Sequence, residues 1–208
     1  MEIRTLRNKN YKTAQWMGGS TSQIYIYPEA AGYEDRNFSF RLSRATTQKN
    51  CSYFTKLPEY KRVLMVLSGS ITLRHEGHYT KYLRPFEQDC FMGSWNTVGF
   101  GLAEDFNLML GEGAEGSLAA VTLPKGEKDR LYRLEGGFNT GTVLLYAMDS
   151  WMEIETSVGS VRLEKGDSLL LKELDQAEEI RLRPALHAKS DGHLIIAAVN
   201  MGGVANEQ

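Results

Sequence analysis

The hydrophobic pattern of the chain is one of short runs, and the most informative of them lies between Tyr60 and Leu73. Val63 to Leu67 is a continuous apolar run of five residues, too short for a helix and bounded by turn formers, so it predicts a buried strand. Ser68-Gly69-Ser70 predicts a tight turn, because glycine accepts a positive φ. Ile71-Thr72-Leu73 is then expected to return as the partner strand of a hairpin. Arg62 breaks the apolar logic. Strand alternation puts it on the face of Leu64 and Val66, at the mouth of the run. An unpaired charge buried there is costly. Arg62 is therefore either the exposed first residue of its strand or a group that needs a partner or a ligand.

The rest of the chain keeps the same rhythm. Gln23–Tyr27 is β-branched and aromatic and is closed by Pro28. Phe38–Ser43 alternates, with Phe38, Phe40 and Leu42 on one face and Ser39, Arg41 and Ser43 on the other. Cys51–Phe54, Tyr79–Phe86 and Cys90–Trp95 predict further short strands, and Asp105–Leu110 sets Asp105, Asn107 and Met109 on a common face. Gly111 to Gly116, dense in glycine and glutamate, predicts the joint between two halves. Beyond it the strands expected are Leu118–Leu123, Arg130–Leu134, Thr142–Ala147, Trp151–Thr156, Ser160–Leu163, Ser168–Leu171, Ile180–Arg183 and His193–Val199, with a helical turn only around Glu173 to Glu179. Many short strands at regular spacing predict an all-β sandwich or barrel.

The central unit recurs. Adding 80 to each number carries Val63–Val66 onto Val143–Tyr146, Leu83 onto Leu163, and the turn Pro85-Phe86-Glu87 onto Lys165-Gly166-Asp167. A duplicated supersecondary unit is expected. On this count Thr142 stands where the first copy has Arg62, so a polar site belongs to the first copy.

Composition narrows the function. With 208 residues, a net charge of −2 and a pI near 6.1, nothing favours a nucleic acid or an anionic membrane as partner. Cys51 and Cys90 lie far apart without paired spacing, which predicts two free thiols in a reducing compartment. The N-terminal residues lack a signal-type apolar core and no long apolar segment follows, so a cytoplasmic location is expected. Self-association into a homodimer is left open.

Candidate chemistry concentrates in the first half. Arg62 and Arg41 offer forked donors that match carboxylate oxygens two at a time. Thr21, Ser43 and Asn107 would add neutral polar contacts, and Asp105 would either hold an arginine or receive an N–H from a ligand. Trp16, Phe54 and Phe91 would form walls. Asp105 could equally be structural, paired with Arg41 or Arg62. Gly18-Gly19 lacks the length, the lysine and the following helix of a phosphate loop. The four histidines do not supply a metal set. His75 and His78 are three apart and so point to opposite faces, and His187 and His193 lie in a loop and at a strand start. Neither a metal nor another cofactor is expected. No histidine can be argued beside Asp105 or a thiol, so no catalytic residue is assigned.

An ordered set of motifs resembles a known family. Trp16 with Gly18-Gly19 and Thr21, Tyr27-Pro28-Glu29, Phe40-Arg41-Leu42-Ser43, Arg62, Leu67-Ser68-Gly69, Pro85-Phe86-Glu87, Phe91 with Gly93, and Asp105 through Met109 are similar to the HutD/Ves family of bicupins. The resemblance spans about residues 11 to 113. It implies two double-stranded β-helix (jelly-roll) barrels, the first over residues 1–113 with the polar pocket and the second, degenerate, over 114–208. It further implies a metal-independent protein that binds a small acidic metabolite and modulates a catabolic pathway such as histidine utilisation, with N-formylglutamate as the natural candidate. The alternative is a metal-independent isomerase or lyase acting on a small carboxylate.

Overall fold

The computed structural model describes residues 1–133, 141–173, 179–185 and 190–202. The chain opens with β1 (Glu2–Leu6) and a 3-10 turn over Asn8–Asn10. There follow β2 (Lys12–Trp16), β3 (Gly19–Tyr27), β4 (Phe40–Thr47), β5 (Cys51–Tyr53), β6 (Lys61–Gly69), β7 (Ile71–His75), β8 (Thr80–Leu83), β9 (Gln88–Met92), β10 (Thr97–Phe100) and β11 (Ala103–Leu110). The second half holds β12 (Ala114–Leu123), β13 (Arg130–Arg133), β14 (Thr142–Ala147), β15 (Met152–Thr156), β16 (Gly159–Leu163), β17 (Ser168–Lys172), β18 (Glu179–Pro184) and β19 (Gly192–Met201). Among the described residues there is no α-helix. The helical turn expected at Glu173 to Glu179 falls mostly outside the described residues, as do Leu134 and His187.

Two compact units result, one of residues 11–114 and one that joins residues 1–10 to the described part of 115–202. In the first, a six-stranded sheet β2-β3-β4-β11-β6-β9 accompanies a four-stranded sheet β5-β10-β7-β8. In the second, β1-β17-β14-β19-β12 accompanies β13-β18-β15-β16. Apart from the outer strands β2 and β3, each strand of the first unit has its counterpart eight elements later, in the same sheet position. This is the duplicated jelly roll, all-β among the described residues apart from the 3-10 turn. Antiparallel strands of 3–10 residues suit it, since each can bury one or both faces against the opposite sheet.

Three sequence expectations are corrected. The segment after Gly69 does not fold back as a hairpin: β6 belongs to the six-stranded sheet and β7 to the four-stranded one, so the chain switches sheets at Ser70. Gly69 serves that corner, with φ +73° and the place of a Cβ only 2.2 Å from the Leu102 carbonyl oxygen. Residues 1–10 go with the second unit rather than the first, because β1 pairs antiparallel with β17, Ile3 opposite Leu171.

The third correction concerns the repeat. Val66 exchanges backbone hydrogen bonds with Phe86 and Glu87, and Ala147 does the same with Gly166 and Asp167, so Val66 corresponds to Ala147. Arg62 pairs with Phe91 and Met109, and Val143 pairs with Leu171 and Ala198. The residue in the place of Arg62 is thus Val143, not Thr142. A slip of one residue exchanges the two faces of a strand. By the same register Asp105 corresponds to Leu194 and Asn107 to Ile196, both members of the apolar core of the second unit.

Candidate functional site

The interior of the first barrel is built row by row across the six-stranded sheet. Alternation along β11 turns Asp105, Asn107 and Met109 to one face. Across the ladder Asp105 meets Ala45 and Val66, Asn107 meets Ser43 and Leu64, and Met109 meets Arg41 and Arg62. Two irregularities adjust the pattern. A bulge in β3 between Gln23 and Tyr25 keeps Gln23 in line with Ser43 while Ile26 falls in line with Arg41. A second, in β6 opposite Glu104 and Asp105, absorbs Leu67 beside the Asp105 row. Of these, Arg41, Ser43, Ala45, Arg62, Asp105, Asn107 and Met109 line a cavity of about 500 Å³.

Arg62 lies within it almost fully buried, at 5% exposure, with its guanidinium carbon 4.9 Å from the centroid of Phe54 and 5.4 Å from that of Phe91. The two rings meet edge to face. Its Nε finds no hydrogen-bond partner, and among the described residues no carboxylate stands within ion-pairing distance of it. Burial lowers its pKa to about 10, against the pull of Tyr33 and Asp105. Asp105 is equally buried, with Oδ1 unpartnered, and burial raises its carboxyl to about 7 despite the attraction of Arg62. The Oδ1 of Asn107 is a third buried polar atom without a partner. The expected structural pairing of Asp105 with an arginine is not made.

Arg41 is held differently. Its Nε donates to Gln23 Oε1 at 2.9 Å, a terminal nitrogen donates to Ser43 Oγ at 3.2 Å, and its guanidinium carbon lies 4.4 Å from the Tyr33 ring centroid. Burial lowers its pKa too, countered by Tyr33 and Glu34. Two guanidiniums therefore share one cavity with a buried carboxyl whose burial favours its neutral form. At the mouth the Trp16 indole N–H donates to Thr21 Oγ1 at 3.1 Å, and the Trp16 ring covers Gly18, where a Cβ would lie 2.0 Å from it.

All seven residues expected from sequence, Trp16, Thr21, Arg41, Ser43, Arg62, Asp105 and Asn107, line this cavity, and Phe54 does too. Phe91 stands behind Phe54 rather than on the surface of the cavity. Tyr33, Glu34 and Lys49 are also on the lining and were not anticipated, because they sit in loops without periodicity. His75, expected at the surface or in a loop, is buried at the end of β7, its ring nitrogens bonded to Thr97 Oγ1 at 2.8 Å and Asp89 Oδ2 at 2.9 Å. His78 stacks on Trp95, and His193 is bonded to Asp149. Among the described residues no group of three His, Cys, Asp or Glu is placed to hold a metal ion. Both cysteines are free and exposed, and no described helix is long and apolar enough to cross a membrane.

A sequence model of the HutD family matches residues 8–194. No curated protein matches the chain. Among solved structures it is similar to a conserved protein of unknown function from Pseudomonas aeruginosa PAO1, with 22% identity, a TM-score of 0.81, and coverage of 96% of this chain and 100% of that one. It is also similar to HutD from Pseudomonas fluorescens SBW25 in its formate condition, at 21% identity and a TM-score of 0.72, covering 97% and 100%. The cupin fold extends the likeness to oxalate decarboxylase of Bacillus subtilis, at 7% identity and a TM-score of 0.62, covering 95% and 76%. At these identities the structural likeness establishes the fold alone.

Proposed function

The chain belongs to the HutD family, and we propose that its first barrel is a receptor for a small carboxylate, anchored by Arg62 and oriented by Arg41, Ser43, Asn107 and Asp105 beneath Trp16 and Thr21. One observation carries the reading: a buried guanidinium with an unpartnered Nε inside a cavity of about 500 Å³. Natural interiors pair such a charge. The second barrel, with Val143, Leu194 and Ile196 at the equivalent places, supports the view that the fold itself does not require it. A carboxylate would supply both the missing acceptors and the missing negative charge.

The family's name supports a place for this ligand among the acidic products of histidine breakdown, N-formylglutamate among them. The barrel would then sense such a product and modulate the pathway that makes it. Calorimetry with formate, succinate and acyl-amino acids tests the anchor. Binding to the wild type that disappears in Arg62→Ala is the expected result, and equal binding to both proteins refutes it.

The raised, unpartnered carboxyl of Asp105 favours a second reading as an isomerase or lyase, in which Asp105 takes a proton from the carbon beside a carboxylate held by Arg62. Exchange of that carbon-bound hydrogen with deuterated solvent, followed by NMR, distinguishes the enzyme from the receptor.

A further inference from the structure

Arg62 and Asp105 occur as a unit. In the first barrel both are buried and, among the described residues, neither makes an ion pair; in the second barrel Val143 and Leu194 take their places. Each nevertheless lies in the field of the other, Arg62 favouring the ionised form of Asp105 and Asp105 the charged form of Arg62. A ligand carboxylate seated on Arg62 would leave one guanidinium to serve two carboxyls out of reach of bulk water. Two carboxyls so placed do not both stay ionised. We infer that the anion enters together with a proton, which Asp105 takes from solvent as the charge of Arg62 is engaged by the ligand. The balance closes, since one carboxylate and one proton are taken up and the net charge of the site is unchanged. This inference rests on the receptor reading of Arg62 given above.

The other charged groups around Asp105 are already engaged or lie at the rim. Arg41, on β4, is bonded to Gln23 and Ser43 and stands in the field of Glu34. Glu104, on the opposite face of β11, is paired with Arg44 at 3.1 Å and pushes the Asp105 carboxyl further up. Cys51 and Tyr53 on β5, and Tyr33, Glu34 and Lys49 in the loops, are at least partly exposed, where water and salt screen them. His75, at the end of β7, is turned to Asp89 and Thr97. Burial holds the Asp105 carboxyl near 7, and a ligand that adds a negative charge and occupies Arg62 moves it higher still. The occupied barrel therefore holds the proton more tightly. Binding is strongest below about pH 6 and weakens as pH rises through about 7.

Calorimetry with formate, an anion throughout this range, tests the linkage. Titrations at about pH 7.5 in Tris and in triethanolamine, two cationic buffers with different heats of ionisation, count the protons exchanged. The wild type should take up roughly half a proton or more per formate, and its affinity should fall roughly tenfold between about pH 6 and about pH 8. Asp105→Asn, which mimics the neutral carboxyl, should take up none and bind equally well at both pH values. Glu34→Gln should keep the uptake, and its loss there would assign the proton to the rim and overturn the inference. Binding independent of pH and buffer, yet abolished by Arg62→Ala, would also overturn it and leave the carboxylate anchor standing. If formate does not bind the wild type at millimolar concentration at either pH, the anchor fails together with the inference. Should Asp105→Asn fail to fold, as judged by circular dichroism, the proton counts of the wild type and of Glu34→Gln decide.

Discussion

The guanidinium of Arg62 rests against the face of Phe54, at 4.9 Å from the ring centroid, with no carboxylate of the described residues within ion-pairing distance. A cation–π contact contributes about 0.5–2 kcal/mol, well below the several kcal/mol that removal of such an ion from water costs. The balance is unfavourable to the empty barrel. Arg62→Met, similar in length and apolar, should therefore raise stability by about 1 kcal/mol or more, seen as a higher urea midpoint with an unchanged slope. A lower midpoint would mean that Arg62 is paired in a way its surroundings do not show.

Binding should move in the opposite direction. Loss of a charge-assisted, desolvated contact costs about 2–5 kcal/mol, so Arg62→Ala should weaken carboxylate binding by roughly 30- to 5,000-fold. Arg62→Lys should recover only part of this, because an ammonium cannot make the two-pronged contact. Titration calorimetry with one carboxylate across the three proteins reads both effects.

Asp105 gives stability a pH dependence whose sign is fixed. Its carboxyl titrates near 7 in the folded protein, against about 3.9 in an unfolded chain. The native state therefore keeps a proton that the unfolded chain has already released. The contribution of this group is fully present below about pH 4 and is lost as pH rises through about 7. Asp105→Asn removes the titration, so its stability relative to wild type should grow between about pH 5 and about pH 8, by an amount on the order of a few kcal/mol. Denaturant curves of both proteins at the two pH values check it, and a constant difference would contradict the burial argument.

Two neighbouring glycines should respond very differently to alanine. A Cβ on Gly19 would lie 1.9 Å from the Thr46 carbonyl oxygen, which is fixed in the β3–β4 ladder. Gly19→Ala should cost about 1–3 kcal/mol or more, as overpacking does. A Cβ on Gly18 meets the Trp16 ring instead, and that residue is 37% exposed and free to swing outward. Gly18→Ala should leave the melting temperature nearly unchanged, alter the tryptophan fluorescence, and weaken ligand binding by uncovering the mouth. An unaltered emission spectrum would show that the ring never covered the site.

Much of this site was legible in the chain because alternation is a local property. Arg62 in phase with Leu64 and Val66, and Asp105, Asn107 and Met109 in phase with each other, could be assigned to inner faces before any partner strand was known. What stayed hidden was long-range. A Gly turn between two apolar runs looks the same whether the chain pairs with itself or crosses to another sheet, so Ser68-Gly69-Ser70 read as a hairpin. The repeat slipped by one at Thr142 because the stretch from Ala147 to Leu163 is one residue shorter than the stretch from Val66 to Leu83 that it matches. Tyr33 and Glu34 had no signal at all. Their loop is placed by stacking of Tyr33 on Phe38, and of Phe38 on Tyr60, a contact across more than twenty residues of chain.

The pairing of β1 with β17 imposes an order on biosynthesis. Residues 2–6 leave the ribosome long before residues 168–172, to which they are bonded in the finished sheet. At about 5–20 residues per second, some ten to thirty seconds separate the two. During that interval the strands of the first barrel, all within residues 12–110, can close and acquire the cavity. The opening strand must meanwhile wait as an unpaired edge, open to any passing chain. The barrel that holds the cavity is thus the one able to mature first, while the second unit depends on strands made late for the partner of its opening strand.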